Sequence, residues 1–167
     1  YWSPSWSPDG QAIYVTRRNA ERYLSSFHIW RYRLGGGDGI ELTDASFDTP
    51  AGATRLMGPV PSADGKHLYY SIREGDYFVS ISLELGLWRA ERLNLETGAR
   101  ETVVTATGSA IRPALSPDGH YLAYATRSQD RTKTEFWLHN LETGKGLRLV
   151  DSIEPDRQDL QIHQELL

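Results

Sequence analysis

The motif Ser-Pro-Asp-Gly at Ser7–Gly10 returns as Ser-Ala-Asp-Gly at Ser62–Gly65 and again as Ser-Pro-Asp-Gly at Ser116–Gly119. A turn repeated at even spacing constrains architecture more than any single residue, because each copy marks the same place in a repeated supersecondary unit. Asp9, Asp64 and Asp118 recur at intervals of 55 and 54 residues, with Pro4, Pro59 and Pro113 five positions ahead and Gly10, Gly65 and Gly119 directly behind. After the turns come "QAIYVTRR", "KHLYYSIR" and "HYLAYATR". Each has an aliphatic residue third (Ile13, Leu68, Leu122), a tyrosine fourth or fifth, and an arginine eighth (Arg18, Arg73, Arg127). A later stretch, "IWRYRLGGG", "AERLNLETG" and "FWLHNLETG", places Leu34, Leu95 and Leu141 before a polar turn, and the units close with "GIELTD", "ETVVTA" and "GLRLVD".

Each unit reads as four short strands. Proline presets φ at the first central turn position, aspartate bonds back to the backbone, and glycine takes the positive φ that closes the loop. The second strand is apolar on both faces, as in Ala12-Ile13-Tyr14-Val15. A strand of that kind is covered on both faces. Trp30 and Trp137 each stand four residues before their leucine, whereas Trp88 stands seven before Leu95 and is predicted to face the other way unless a bulge intervenes. Four-stranded units repeated at roughly 40–55 residues point to an all-β fold of β-propeller blades, each blade covering its neighbour. The competing reading is a β-sandwich with accidental turn similarity. The expected boundaries are about 1–48, 56–106 and 109–151 for the three blades, with 152–167 as a connector to a next blade. Propellers close with four to eight blades, so a three-bladed chain is expected to be part of a longer propeller or completed by another chain. The opening Tyr1-Trp2 fits an excised chain without a leader.

Composition excludes several function classes. With 18 basic and 22 acidic residues the chain has no basic excess of the kind nucleic acid requires. No apolar run is long enough to insert into a membrane. Cysteine is absent, which removes disulfides and thiolate metal sites.

Catalytic, cofactor and metal sites are expected to be absent. There is no Gly-x-Ser-x-Gly elbow, His-x-His or His-Glu-x-x-His. His28, His67, His120, His139 and His163 are scattered singly. "LGGGDGI" at Leu34–Ile40 and "TGKG" at Thr143–Gly146 lack the order of a phosphate loop and read as turns between third and fourth strands. "DASFDTP" at Asp44–Pro50 carries too few oxygen ligands for a calcium loop. The recurring Asp9, Asp64 and Asp118 serve the turn itself. The segments Asn19–Ser26, Asp44–Met57 and Gly75–Leu85 vary between units and are free to carry specificity.

The Ser-Pro-Asp-Gly turn, the apolar strand behind it and the aromatic strand ending in "NLETG" together resemble the TolB-type propeller repeat, over Pro4 to Val150. Such blades occur in TolB, in the propellers of prolyl-oligopeptidase-like serine peptidases and in the N-terminal propellers of exported amidohydrolases. Asp156-Arg157-Gln158-Asp159 resembles the connector of the amidohydrolase group in altered order, and a solvated charged loop explains it equally well. The resemblance implies a non-catalytic scaffold or interaction module of a larger exported protein, periplasmic or secreted. Its partner would be a protein or peptide, the remaining blades or catalytic domain of a parent chain, or a second copy through open blade faces.

Overall fold

The computed structural model describes residues 2–18, 26–44, 54–74, 88–106, 111–127 and 134–153. Every regular element among them is a strand. The first unit contributes β1 (Trp2–Trp6), β2 (Ala12–Arg18), β3 (Phe27–Arg33) and β4 (Ile40–Glu41). The second contributes β5 (Thr54–Pro61), β6 (His67–Glu74), β7 (Trp88–Asn94) and β8 (Arg100–Ala106). The third contributes β9 (Ile111–Leu115), β10 (Tyr121–Arg127), β11 (Thr134–Asn140) and β12 (Gly146–Ile153). Within each unit consecutive strands pair antiparallel, in the order in which they occur in the chain. A single parallel bridge, Phe27 to Arg55, joins the first unit to the second.

The three turns are built alike. The hydroxyls of Ser7, Ser62 and Ser116 each donate to the aspartate two residues on at 2.5 Å. The same hydroxyls accept the amides of Ala12, His67 and Tyr121 at 2.9 Å. The aspartates accept the amides of Gln11, Lys66 and His120 at 3.0 Å. Gly10, Gly65 and Gly119 take φ of 67°, 70° and 76°, the left-handed region that glycine enters without strain. Ala63 replaces proline in the middle copy without changing any of these bonds, because proline supplies only a preset φ.

The repeated prolines have a role that the spacing alone does not reveal. In each unit the first strand spends three residues against two of the second: Trp2–Ser5 against Thr16–Tyr14, Met57–Val60 against Ser71–Tyr69, and Ile111–Ala114 against Ala125–Ala123. Pro4, Pro59 and Pro113 lie inside these bulges, where a residue with no N–H costs the ladder nothing.

The fourth strands differ. Strand β4 has only two residues where β8 and β12 have seven and eight. After Glu41 the ladder is replaced: the Ile29 amide donates to the Thr43 hydroxyl at 2.8 Å and the Leu42 amide to the Ile29 carbonyl at 2.9 Å. Strand β12 runs to Ile153, beyond the expected blade edge, and β5 begins at Thr54, ahead of it. The remainder of the expected connector, from residue 154, lies outside the described residues.

Strand parity sorts the core into two layers. Tyr14, Ile29, Leu56, Leu68, Tyr70, Ile72 and Leu93 pack between the first and second sheets. Tyr69, Trp88, Ala90, Val104 and Leu122 pack between the second and third. The β6–β7 register runs unbroken from His67–Asn94 to Arg73–Trp88, so Trp88 faces the third sheet, opposite to the side its repeat position would give a tryptophan.

Candidate functional site

The recurring aspartates are committed to their turns. The carboxyls of Asp9, Asp64 and Asp118 are held below the ordinary aspartate value, first by the serine hydroxyl and then by a backbone amide. In each, Oδ1 takes both turn bonds, from the serine hydroxyl and from the backbone amide two residues on.

A buried charged cluster lies between the first two sheets. The leucines before the second polar turn align Trp30, Glu91 and Trp137, so a glutamate occupies the place of two tryptophans. Glu91 is 4% exposed. Its carboxylate accepts from the Tyr70 hydroxyl at 2.9 Å, Arg89 Nε at 2.6 Å and Arg100 Nη2 at 2.9 Å. Burial, the largest single influence, would raise its pKa, but hydrogen bonds from Arg89 and Arg100 outweigh it and hold the carboxyl below its usual range. Across the sheet, burial pushes the Tyr70 phenol well above its ordinary value, with the Glu91 charge adding to the effect. Sequence reasoning missed this cluster, although the glutamate at a tryptophan position was its signal.

The two ends of the sheets are chemically distinct. Both tight turns of each unit lie at one end, and the second-to-third-strand connections leave from the other. The repeated arginines stand at that second end, with Arg18, Arg73 and Arg127 paired across the ladder to Phe27, Trp88 and Thr134. Arg73 is buried 5.8 Å from the Trp88 ring centre, and Arg55, its direct neighbour on β5, lies 5.8 Å from that of Phe27. Burial and then the Arg55 charge lower the Arg73 pKa.

The histidines do not converge. His28 is fully buried, with Nδ1 against the Thr43 carbonyl and 3.3 Å from the Glu41 carboxylate. His120 lies 3.1 Å from Glu142 on the surface, and partial burial lowers the pKa of His139. His163 lies outside the described residues, as do residues 19–25, 45–53 and 75–85 of the variable segments, the second of which contains most of the acidic stretch, and Asp156–Asp159. Among the described residues no three His, Asp or Glu side chains gather in a metal-sized group. The glycine-rich stretch forms the β3–β4 turn, and Thr143–Gly146 lies in and after the equivalent β11–β12 turn, where Asn140 accepts the amides of Glu142 and Thr143 at 3.0 and 2.8 Å.

No protein-family model matches the chain, and no curated protein sequence matches it. Solved structures do. TolB from Acinetobacter baumannii is 21% identical over 90% of this chain and 32% of its own, with a TM-score of 0.63. The TolB assigned in Agrobacterium tumefaciens is 19% identical over 90% of this chain and 46% of its own, at 0.64. A structure from a study of two prolyl endopeptidases is 16% identical over 90% of this chain and 22% of its own, also at 0.63. The chain thus spans less than half the length of each of these proteins. It has the fold of TolB-type β-propeller blades, all-β and antiparallel within each blade.

Proposed function

We propose that the chain is a non-catalytic propeller module that binds protein or peptide partners within a larger exported protein. The observation that carries this reading is the outward face of the third sheet. Leu138 and Leu147 pair directly across β11 and β12 on that face, and Leu147 is 62% exposed. Phe136 lies on the same face, two residues before Leu138. The corresponding face of the second sheet is covered by the third. An apolar face of this kind is a binding surface for another blade or another protein. Trp137 does not contribute to it: it pairs with Tyr124, which packs toward the second sheet.

Two enzyme parents fit such a module. The Asp156–Asp159 stretch favours an amidohydrolase, and the fold likeness to the endopeptidase structure favours a propeller that gates a serine peptidase. A stand-alone periplasmic TolB-type protein needs no enzyme. The coding sequence after Leu167 separates the three: a His-x-His, a Gly-x-Ser-x-Gly, or a stop codon.

Light scattering on the 167-residue chain tests the module itself. The expected result is a dimer or larger assembly that Leu147→Lys returns toward monomer. A stable monomer that binds no hydrophobic dye overturns the binding-face reading. Hydrolysis of an amide or ester, abolished by a point change within the chain, overturns its non-catalytic part.

A further inference from the structure

The three sheets repeat one cross-strand position with three different outcomes. Counting three back from the aligned leucines gives Arg31, Arg92 and Leu138, and their fourth-strand partners are Ile40, Glu101 and Leu147. On the second-strand side Arg31 faces Tyr14 and Arg92 faces Tyr69. The first two sheets therefore share a tyrosine–arginine pair on equivalent faces. In the second sheet Glu101 completes it, with the Arg92 guanidinium donating to its carboxylate. In the first sheet the carboxylate's place is taken by Ile40, and among the described residues Arg31 has Tyr14 beside it and no carboxylate in ion-pair range.

The space beside Arg31 is open. A cleft of about 620 Å³ is lined by Tyr14, Arg31, Arg33, Asp9, Gly35 and Gly36 among others, all from the first sheet and its turns. Arg31 and Arg33 alternate on β3 and so point to one face, that of Ala12 and Tyr14. The Nε of Arg31 is buried and makes no hydrogen bond. A guanidinium desolvated on one edge gains more from an anion at its other edge than a fully hydrated one does. A side chain built at Gly35 or Gly36 would meet nothing within 4 Å, so backbone approach at the cleft wall is unobstructed. Asp9, the one acidic group in the lining, is engaged by Ser7 and by the Gln11 amide.

We propose that this cleft binds a carboxylate of an acidic peptide segment, held by Arg31 and Arg33 in the place that Glu101 fills in the second sheet. The second sheet supplies the template: the arginine of the same tyrosine–arginine pair already donates to a carboxylate there. Arginine's planar fork matches that group with two parallel hydrogen bonds. The proposal rests on the reading of the chain as a protein-binding module and names the chemistry of one partner.

The test is fluorescence anisotropy of the 167-residue chain with a labelled peptide of alternating glutamate and serine. Alternating glutamine and serine, and inorganic phosphate and free glutamate as competitors, form the control arms. The glutamate peptide is expected to bind and the glutamine peptide not to bind. Arg31→Gln is expected to weaken binding by about tenfold or more, the loss of one charge-assisted contact. Arg31→Lys should fall between, having charge without the fork, and Arg92→Gln should leave affinity within about twofold, its partner being internal. If Arg31→Gln fails to fold, exposed Arg33→Gln carries the same test. Equal binding by wild type and Arg31→Gln, or phosphate displacing the peptide at lower concentration than free glutamate does, overturns the proposal. The oligomeric state is measured separately, so loss of the cleft leaves the module reading standing.

Discussion

The second sheet has two buried faces, and they are filled by opposite means. Toward the first sheet it presents Tyr70, Ile72 and Leu93 around an ionised Glu91. Toward the third it presents Tyr69, Ala90 and a Trp88 that is 1% exposed. The backbone is the same pleated ladder on both sides, so the repeat dictates where each face lies but not what fills it. A large apolar ring and a hydrogen-bonded carboxylate are alternative ways to make a sheet face coverable. They should fail differently when cut.

The largest effect is expected on the apolar side. Trp88→Ala should destabilise the chain by about 4 kcal/mol, transfer and cavity terms together, read from the midpoint of urea unfolding. A loss under about 1 kcal/mol would mean that the two sheets do not close over the ring.

Next comes the charged side, where Glu91→Ala should cost roughly 3 kcal/mol, because Arg89, Arg100 and the Tyr70 hydroxyl lose their shared acceptor. Arg89 and Arg100 keep 26% and 30% exposure, so water recovers part of that loss. The two sides also differ in pH dependence. A carboxyl held below its ordinary value of 4.5 contributes stability that is fully present above that pH and lost as pH falls through the folded value. Glu91→Ala should therefore flatten the acid limb of the stability profile, leaving the part that the turn aspartates contribute with the same sign. Trp88→Ala should shift the whole profile down without changing its slope. Identical slopes in the two variants would remove the charge from the comparison.

The smallest effect separates backbone from packing at the turns. Gly119→Val should cost roughly 1–2 kcal/mol in thermal stability, since its φ of 76° is strained for any β-carbon although no atom stands in the way. Gly146→Ala, on β12 with ordinary φ and a Trp137 contact at 3.4 Å, should change stability by less than about 0.5 kcal/mol. Equal losses would contradict the turn geometry.

The turns were legible in the sequence because their chemistry is local: a serine, an aspartate and a glycine satisfy one another within six residues. The orientation of Trp88 was legible too, since strand parity needs only counting. Burial of Glu91 was not, because it depends on which face the first sheet covers. Nor was the shortness of β4, which follows from Thr43 capping Ile29 in place of a ladder partner. The contrast between Arg31 and Arg92 was hidden for a similar reason. It turns on the residue opposite each one, and that pairing exists only once β4 and β8 are laid in register.

The order of strands within each sheet has a consequence for synthesis. Every antiparallel ladder joins neighbours in sequence, so a sheet can form as soon as its four segments leave the ribosome, with little loop entropy to overcome. The face it turns toward the following sheet cannot be covered until that sheet is made. Tyr14 and Ile29 wait for Leu68, Ile72 and Leu93, which at about 5–20 residues per second is on the order of several seconds. For that interval the nascent chain carries a finished sheet with a bare apolar side, a species more open to aggregation than the finished fold.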